Sequence, residues 1–195
     1  MVDDGSTDGT AAAAEALRNE LPSVTIVALK PNQGLGAALR AGLAAARGEW
    51  TATIDADLTF RPEHLASMLA AAKSAGADLV AGSPYLRPRD LESVPWLRRL
   101  PSLMMNALYR GLFGFQLTSY TPVFRLYRTE KLKALASRSD GFEINAEIAA
   151  RAVQEGWRVA EVPVSLETRV AGVSKLRRWR ELTSHLKLIA RLLKG

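Results

Sequence analysis

Trp50-Thr51-Ala52-Thr53-Ile54-Asp55-Ala56-Asp57-Leu58-Thr59-Phe60-Arg61-Pro62 opens as a short strand-forming run, stops on two carboxylates one residue apart, and reaches a proline of the kind that begins a helix. A strand that hands over to a helix through a polar turn is half of a βα unit, so the segments on either side decide the fold. Upstream, residues 35–47 are rich in Ala, Leu and Arg, and Gly48 sits where a helix would stop. Val24-Thr25-Ile26-Val27-Ala28-Leu29 is apolar, β-branched and closed by Pro31-Asn32, which reads as a buried strand, and residues 10–20 have helix composition. Downstream, Pro62 to Ser74 reads as a helix and Asp78 to Ala81 as a third strand. This alternation predicts an α/β fold with a mostly parallel sheet and helices on both faces.

The rhythm then changes. Arg87 to Pro101 is charged and proline-rich, as a long loop would be, and Ser102 to Leu117 is an amphipathic stretch. Val123 to Tyr127 reads as a strand, Gly141 to Gln154 as a helix closed by Gly156, and Arg158 to Leu166 as a strand whose Pro163 predicts an edge or a bulge. Residues 176–193 form a basic amphipathic helix with Leu176, Trp179, Leu182, Leu186, Ile189 and Leu193 on one stripe. No repeat or linker divides the chain, so a single domain over residues 1–195 is expected. Met1-Val2-Asp3-Asp4-Gly5 reads as the end of a strand running into a loop, and the expectation is a fragment or a misplaced start codon.

Composition sets further limits. The chain has 195 residues, 48% of them hydrophobic, enough to bury a core. No stretch of about 18 consecutive apolar residues occurs. Cysteine is absent, which excludes disulfides and thiolate metal sites and suits a reducing, cytoplasmic location. The net charge is +6, yet from Arg169 onward there are eight Lys or Arg and one acid. The basic excess lies wholly in the tail. Either it faces phosphate or an anionic lipid surface, which would make the protein peripheral on the cytoplasmic membrane face, or it is a solvated helix face. Nucleic acid is not an expected partner, because the basic residues are not interleaved with the run of aromatics that base stacking uses.

Three segments carry chemistry. Asp55 and Asp57 follow a strand, where ligands of open parallel sheets bind, and two carboxylates in one turn suit Mg²⁺ or Mn²⁺. The same pair can also be a polar turn ahead of the helix at Pro62. Asp3-Asp4-Gly5-Ser6-Thr7-Asp8 repeats the arrangement: Ser6 or Asp8 serves as an N-cap, while Asp3 and Asp4 can accept hydrogen bonds from a ribose or a base. Asn32-Gln33-Gly34-Leu35-Gly36 reads either as a phosphate-holding helix start or as a tight turn.

Taken together, the sequence resembles glycosyltransferase family 2, in its polyprenyl-phosphate (dolichyl-phosphate) mannosyltransferase-like branch. The resemblance rests on Val2-Asp3-Asp4-Gly5-Ser6-Thr7-Asp8-Gly9-Thr10, Asn32-x-Gly34-x-Gly36 and Asp55-Ala56-Asp57-Leu58, in that order. Phe124-Arg125-Leu126-Tyr127-Arg128, Gly141-Phe142-Glu143, Glu161-Val162-Pro163-Val164 and Ser174-Lys175 extend it over nearly the whole chain. It implies a GT-A type, Rossmann-like fold lacking its first strand and helix, a donor such as GDP-mannose or UDP-glucose, and inversion at the anomeric carbon. It also implies that Asp3 and Asp4 contact the nucleoside, and that Asp55 and Asp57 serve the metal and diphosphate. By the same resemblance Asp57 and Arg125 are catalytic, while Arg98, Ser102, Ser174 and Lys175 hold the acceptor phosphate.

The acceptor follows in part from chemistry. A sugar hydroxyl needs a general base to attack, whereas a phosphate is already anionic. His64 and His185 read as surface or packing residues, leaving Asp140 and Glu143 as the bases a hydroxyl acceptor would use. The many basic residues between Arg87 and Lys175 favour a polyprenyl phosphate. The alternatives are a family 2 enzyme using a glycan hydroxyl, and a truncated homologue without turnover.

Overall fold

Val2–Asp4 (β1), Thr10–Glu20 (α1), Val27–Leu29 (β2), Leu35–Ala45 (α2), Trp50–Thr53 (β3), His64–Ala75 (α3) and Leu79–Ser83 (β4) alternate as the sequence predicts. They are seen in a computed structural model that describes residues 1–57, 59–91, 96–167 and 178–194, without the side chains of 88, 89, 97, 98 and 178–180. The second half comprises Trp96–Phe113 (α4), Arg125–Arg128 (β5), Thr129–Ala134 (α5), Ile144–Gln154 (α6), Val159–Pro163 (β6) and Arg178–Leu192 (α7).

Two differences from the sequence reading have physical causes. Helix α4 begins at Trp96, inside the stretch read as a loop, and carries Pro101 within it. Pro101 lies on the exposed side of the helix, where a carbonyl left without an N–H partner is open to solvent rather than buried. Strand β5 runs against its neighbours: it pairs antiparallel with both β3 and β4, while β4 and β6 are parallel, giving the order β3-β5-β4-β6. The alternation that predicts parallel strands ends at β4, because α4 and the irregular residues 114–124 return the chain from the opposite end. Pro163 closes β6, which is an edge strand, as its missing N–H requires.

Strands β1 and β2 form a separate parallel pair, with Val2 opposite Val27 and Asp4 opposite Leu29. Among the described residues β1 bonds to β2 alone and β3 to β5 alone. Helix α2 spans the two sheets, packing on β1, β2 and α5 and sending Leu35, Leu39 and Leu43 against the larger core.

That core fills the face of the sheet covered by α4, α6 and α7. Strand β4 is buried on both sides: Leu79 and Ala81 enter the larger cluster, and Val80 enters a smaller one with Phe60, Met68 and Phe124 under α3. Helix α6 is buried along most of its length. Of the predicted stripe's described residues, helix α7 turns only Ile189 inward. His185, Leu188, Ile189 and Leu192 are buried, whereas Leu182, Leu186 and Leu193 are exposed. The hydroxyl of Tyr109 on α4 meets His185 Nδ1 at 2.9 Å, and the Arg191 guanidinium reaches buried Glu147 at 3.1 Å. These polar contacts set the rotation of α7, and hydropathy spacing alone does not register them. Leu176, and the side chain of Trp179, lie outside the described residues.

Candidate functional site

The carboxyl ends of β1 and β2 bring two of the predicted segments together, and the third follows β3 in the larger sheet. Asp4, at the end of β1, accepts the backbone N–H groups of Gln33 at 2.7 Å and Gly34 at 2.8 Å, and Asn32 Nδ2 donates to the Asp4 carbonyl at 2.6 Å. The N–H of Gly36 is donated to the Asp140 carbonyl at 2.8 Å. The glycine turn is therefore a tight turn whose N–H groups are held by protein. A Cβ on Gly34, whose φ is 93°, would stand 2.6 Å from the Asp140 carbonyl oxygen. Asp3 is buried and accepts the Ser6 N–H at 3.1 Å, and Asp8 accepts the N–H of Thr10 at 3.0 Å, just ahead of α1. The cap residue of α1 itself is Gly9, in place of the predicted Ser6 or Asp8.

Asp55 and Asp57 sit half-buried in the turn after β3, with Ala56 exposed between them. Asp57 Oδ1 accepts the Thr59 N–H at 3.1 Å and also its hydroxyl, which orients the carboxylate. Among the described residues no group of three His, Cys, Asp or Glu surrounds the pair. Two carboxylates in one turn, Asp57 oriented by Thr59, fit a hard cation that takes its remaining oxygens from a diphosphate and water.

Arg125, which the resemblance gives as catalytic, is fully buried at the start of β5. Its guanidinium donates to the carbonyls of Asn145, Ser119 and Tyr120, the last at 2.6 Å, and so fastens the crossing segment 114–124 to α6. Glu161 completes this layer, accepting the N–H of Thr118 at 2.8 Å and its hydroxyl at 3.0 Å. Burial pushes the Glu161 carboxyl up, against the opposing pull of those bonds and of Arg125.

Beyond β4 lies a cavity of about 510 Å³ lined by Tyr85, Leu91, Leu103, Asn106, Ala107, Arg110 and Thr118. Ser102 reaches its wall. The Ser102 hydroxyl lies 2.8 Å from Tyr85 OH, 3.4 Å from the Thr121 hydroxyl, and accepts from Asn106 Nδ2 at 3.4 Å. Ser83 and Thr118 form a second hydroxyl pair at 2.6 Å, and the Tyr85 N–H donates to the Ser83 hydroxyl at 3.2 Å. Burial raises the Tyr85 phenol above its ordinary value, although its bonds to Ser102 and Asn106 and the charge of Arg99 oppose the rise. Tyr85, Asn106, Arg110 and Thr118 were not singled out in the sequence. Their contribution depends on α4 lying over β4, and the one local signal was the four-residue spacing of Arg98 and Ser102 in the sequence. The backbone of Arg98 is in α4 but its side chain, with Ser174 and Lys175, lies outside the described residues.

Residues 138–140 tie α2, α6 and α7 together. Buried Glu147 on α6 accepts the N–H groups of Arg138 at 3.1 Å and Ser139 at 2.8 Å, and pairs with Arg151 and Arg191. Arg40 of α2 donates to the Ser139 carbonyl at 2.7 Å and to Asp140 at 2.6 Å. Asp140 is thus committed to an ion pair, while Glu143 stands near Tyr109 and His185, whose imidazole burial pulls below its ordinary value against the Glu143 charge.

Comparison with known proteins follows this geometry. The description "Glycosyl transferase family 2" matches residues 1–136. The chain is 37% identical over 188 residues to a polyprenol monophosphomannose synthase of Mycolicibacterium smegmatis, covering 90% of this chain and 69% of that protein. It is 33% identical over 182 residues to an undecaprenyl-phosphate mannosyltransferase of Micrococcus luteus, covering 90% and 74%. Among solved structures, glucosyl-3-phosphoglycerate synthase of Mycobacterium tuberculosis with UDP superposes with a TM-score of 0.66 at 22% identity, over 99% of this chain and 66% of that one. The same synthase with Mn²⁺, UDP-glucose and phosphoglyceric acid gives 0.62 at 23% identity. This second likeness concerns the GT-A fold.

Proposed function

Because the chain belongs to glycosyltransferase family 2, we propose that it transfers a hexosyl group from a nucleotide sugar, of the GDP-mannose or UDP-glucose type, to a polyprenyl phosphate, with inversion. The observation that carries this reading is the lining of the cavity beyond β4. It offers hydroxyls, an amide and an arginine, with neither carboxylate nor imidazole among the described residues that line it. A sugar hydroxyl would find no base there, whereas a phosphate monoester finds donors and needs no base. The names of the two curated relatives, both acting on polyprenyl-type lipids, support the same acceptor.

In the proposed reaction an acceptor phosphate oxygen attacks the anomeric carbon, and the bond from that carbon to the diphosphate breaks. The nucleoside diphosphate departs with the electron pair. Asp55 and Asp57 would hold a divalent cation, which supplies charge neutralisation for the departing diphosphate. Thr59 keeps Asp57 oriented for that task, Asp3 lies on the nucleoside side, and Asp4 holds the glycine turn beside it. Ser102, with Tyr85 and Asn106, would orient the acceptor phosphate, and Ser174, Lys175 and Arg98 are proposed to add to its binding.

Thermal-shift titration with GDP-mannose, UDP-glucose and UDP-GlcNAc, each with Mn²⁺, tests the donor side, since a ligand of the native state raises the melting temperature. Transfer assays with a short-chain prenyl phosphate and the matching prenol test the acceptor. Transfer to the phosphate alone is expected; transfer to the alcohol or to a glycan hydroxyl would overturn the reading.

A further inference from the structure

The start of α2 is covered by the protein's own chain. Ser139 and Asp140 cross it so closely that a Cβ on Gly36 would overlap the Ser139 carbonyl oxygen, and one on Gly34 would crowd the Asp140 carbonyl. Both glycines of the Asn32-x-Gly34-x-Gly36 turn are therefore required by a backbone crossing, and Gly36 gives its N–H to the Asp140 carbonyl. The crossing segment is held from two directions. From α6, buried Glu147 accepts the N–H groups of Arg138 and Ser139, and from α7 Arg191 donates to the Ser139 hydroxyl at 2.8 Å. From α2, Arg40 Nη1 donates to the Ser139 carbonyl and Nη2 to the Asp140 carboxylate.

We propose that Arg40 is a positioning residue for the donor side: by clamping Ser139 and Asp140 against the start of α2, it fixes the glycine turn and, through that turn, Asp4. The contacts form an unbroken series. Arg40 holds Ser139 and Asp140, Asp140 holds Gly36, and the N–H groups of Gln33 and Gly34 hold the Asp4 carboxylate at the end of β1. Gly36 and Arg40 stand four residues apart, so α2 grips the crossing segment at two points one turn apart on one face.

Exposure shows which of Arg40's two contacts matters more. The Asp140 side chain is 72% exposed, and solvent screening leaves such an ion pair little weight. Ser139 is buried, so water is a poor substitute for the guanidinium at its carbonyl. Arg40 is not among the described residues that line the cavity beyond β4, so its influence falls on one side of the site. That the positioned side takes a nucleotide sugar rests on the donor reading given above; the clamp itself rests on these contacts.

Arg40→Met and Arg40→Lys test the proposal, with Arg151→Met as the comparison. Arg151 pairs with the same buried Glu147 from within α6, so its loss weakens that hub and leaves the Arg40 contacts in place. Without ligand, hydrogen–deuterium exchange in the peptide spanning residues 33–37 is expected to quicken about fivefold or more in Arg40→Met and to stay near wild type in Arg151→Met. Calorimetry with GDP-mannose and UDP-glucose, each with Mn²⁺, is expected to show a donor Kd raised about fivefold or more in Arg40→Met. The KM for a short-chain prenyl phosphate should stay unchanged. Arg40→Lys keeps one donor for the Ser139 carbonyl and is expected to restore part of both effects. If Arg40→Met does not fold, Arg40→Lys decides the matter by a smaller rise in the same two readouts. A merely structural role would lower the melting temperature without separating donor from acceptor. Unchanged exchange in the Arg40 variants would overturn the clamp. A donor Kd equal to that of the wild type, or an acceptor KM that rises in step with it, would overturn the positioning role. Wild-type protein that binds neither nucleotide sugar, with exchange still quickened in Arg40→Met, would count against the donor reading and not against the clamp.

Discussion

The hydroxyl of Tyr85 lies 2.8 Å from that of Ser102, joining the segment after β4 to the inner edge of α4 at the wall of the cavity. Ser102→Ala leaves Tyr85 and Asn106 without this partner and removes one donor from the proposed acceptor site. Losing one such bond to a charged group costs about 1.5–3 kcal/mol. The expected outcome is a KM for prenyl phosphate raised by about tenfold or more, with donor affinity unchanged. Steady-state kinetics with acceptor and donor varied separately check it, and a rise in the donor KM alone would argue for another role.

Asp57→Ala removes the carboxylate that Thr59 orients after β3. Transfer is expected to disappear, and so is the Mn²⁺-dependent part of nucleotide-sugar binding, while the melting temperature without ligand changes little. Isothermal calorimetry of donor with and without Mn²⁺ measures this. Metal-dependent binding that survives in the variant would remove Asp57 from the proposed cation site.

Arg125→Met tests whether this arginine acts as a clamp. Its loss strands the carbonyls of Asn145 and Tyr120 in the interior. A stability loss of about 2–4 kcal/mol in urea unfolding is expected. Activity per folded molecule should be largely kept at low temperature. A variant of native stability with no transfer would return Arg125 to the chemistry.

Glu147 makes stability pH-dependent. Burial pushes its carboxyl up, but the hydroxyl and N–H of Ser139, the N–H of Arg138 and the Arg191 charge outweigh this and hold it below the ordinary 4.5. Since its native value lies lower, its stabilisation is fully present above about pH 4.5 and is lost as pH falls through the lowered native value. Glu147→Gln is expected to cost about 3 kcal/mol at neutral pH and to flatten the acid side of the stability profile. Urea unfolding of both proteins between neutral pH and strongly acidic pH shows whether the slope moves.

The sequence made the βα alternation legible because β3 and β4 sit between strongly helical segments and end on polar turns. Asp55 and Asp57 were legible for the same reason, since a carboxylate pair after a strand is a local pattern. The acceptor cavity was not. Tyr85, Asn106, Arg110 and Thr118 lie on three segments, and only the packing of α4 over β4 brings them together. The burial of Arg125 was not legible, because it depends on carbonyls that come from α6 and the crossing segment. The face of α7 was misread because His185 and Arg191 outweigh three leucines in setting its rotation.

Strand β5 has a metric consequence. Lying between β3 and β4, it holds their ends two strand spacings apart, roughly 10 Å. On the proposed reading, the carboxylates after β3 and the hydroxyls after β4 flank a slot of about one sugar ring, so the reversed strand works as a gauge block between leaving group and nucleophile. Shortening or lengthening the loops would leave that interval alone, because hydrogen bonds from Thr53 to Ala81 through Arg125 fix it.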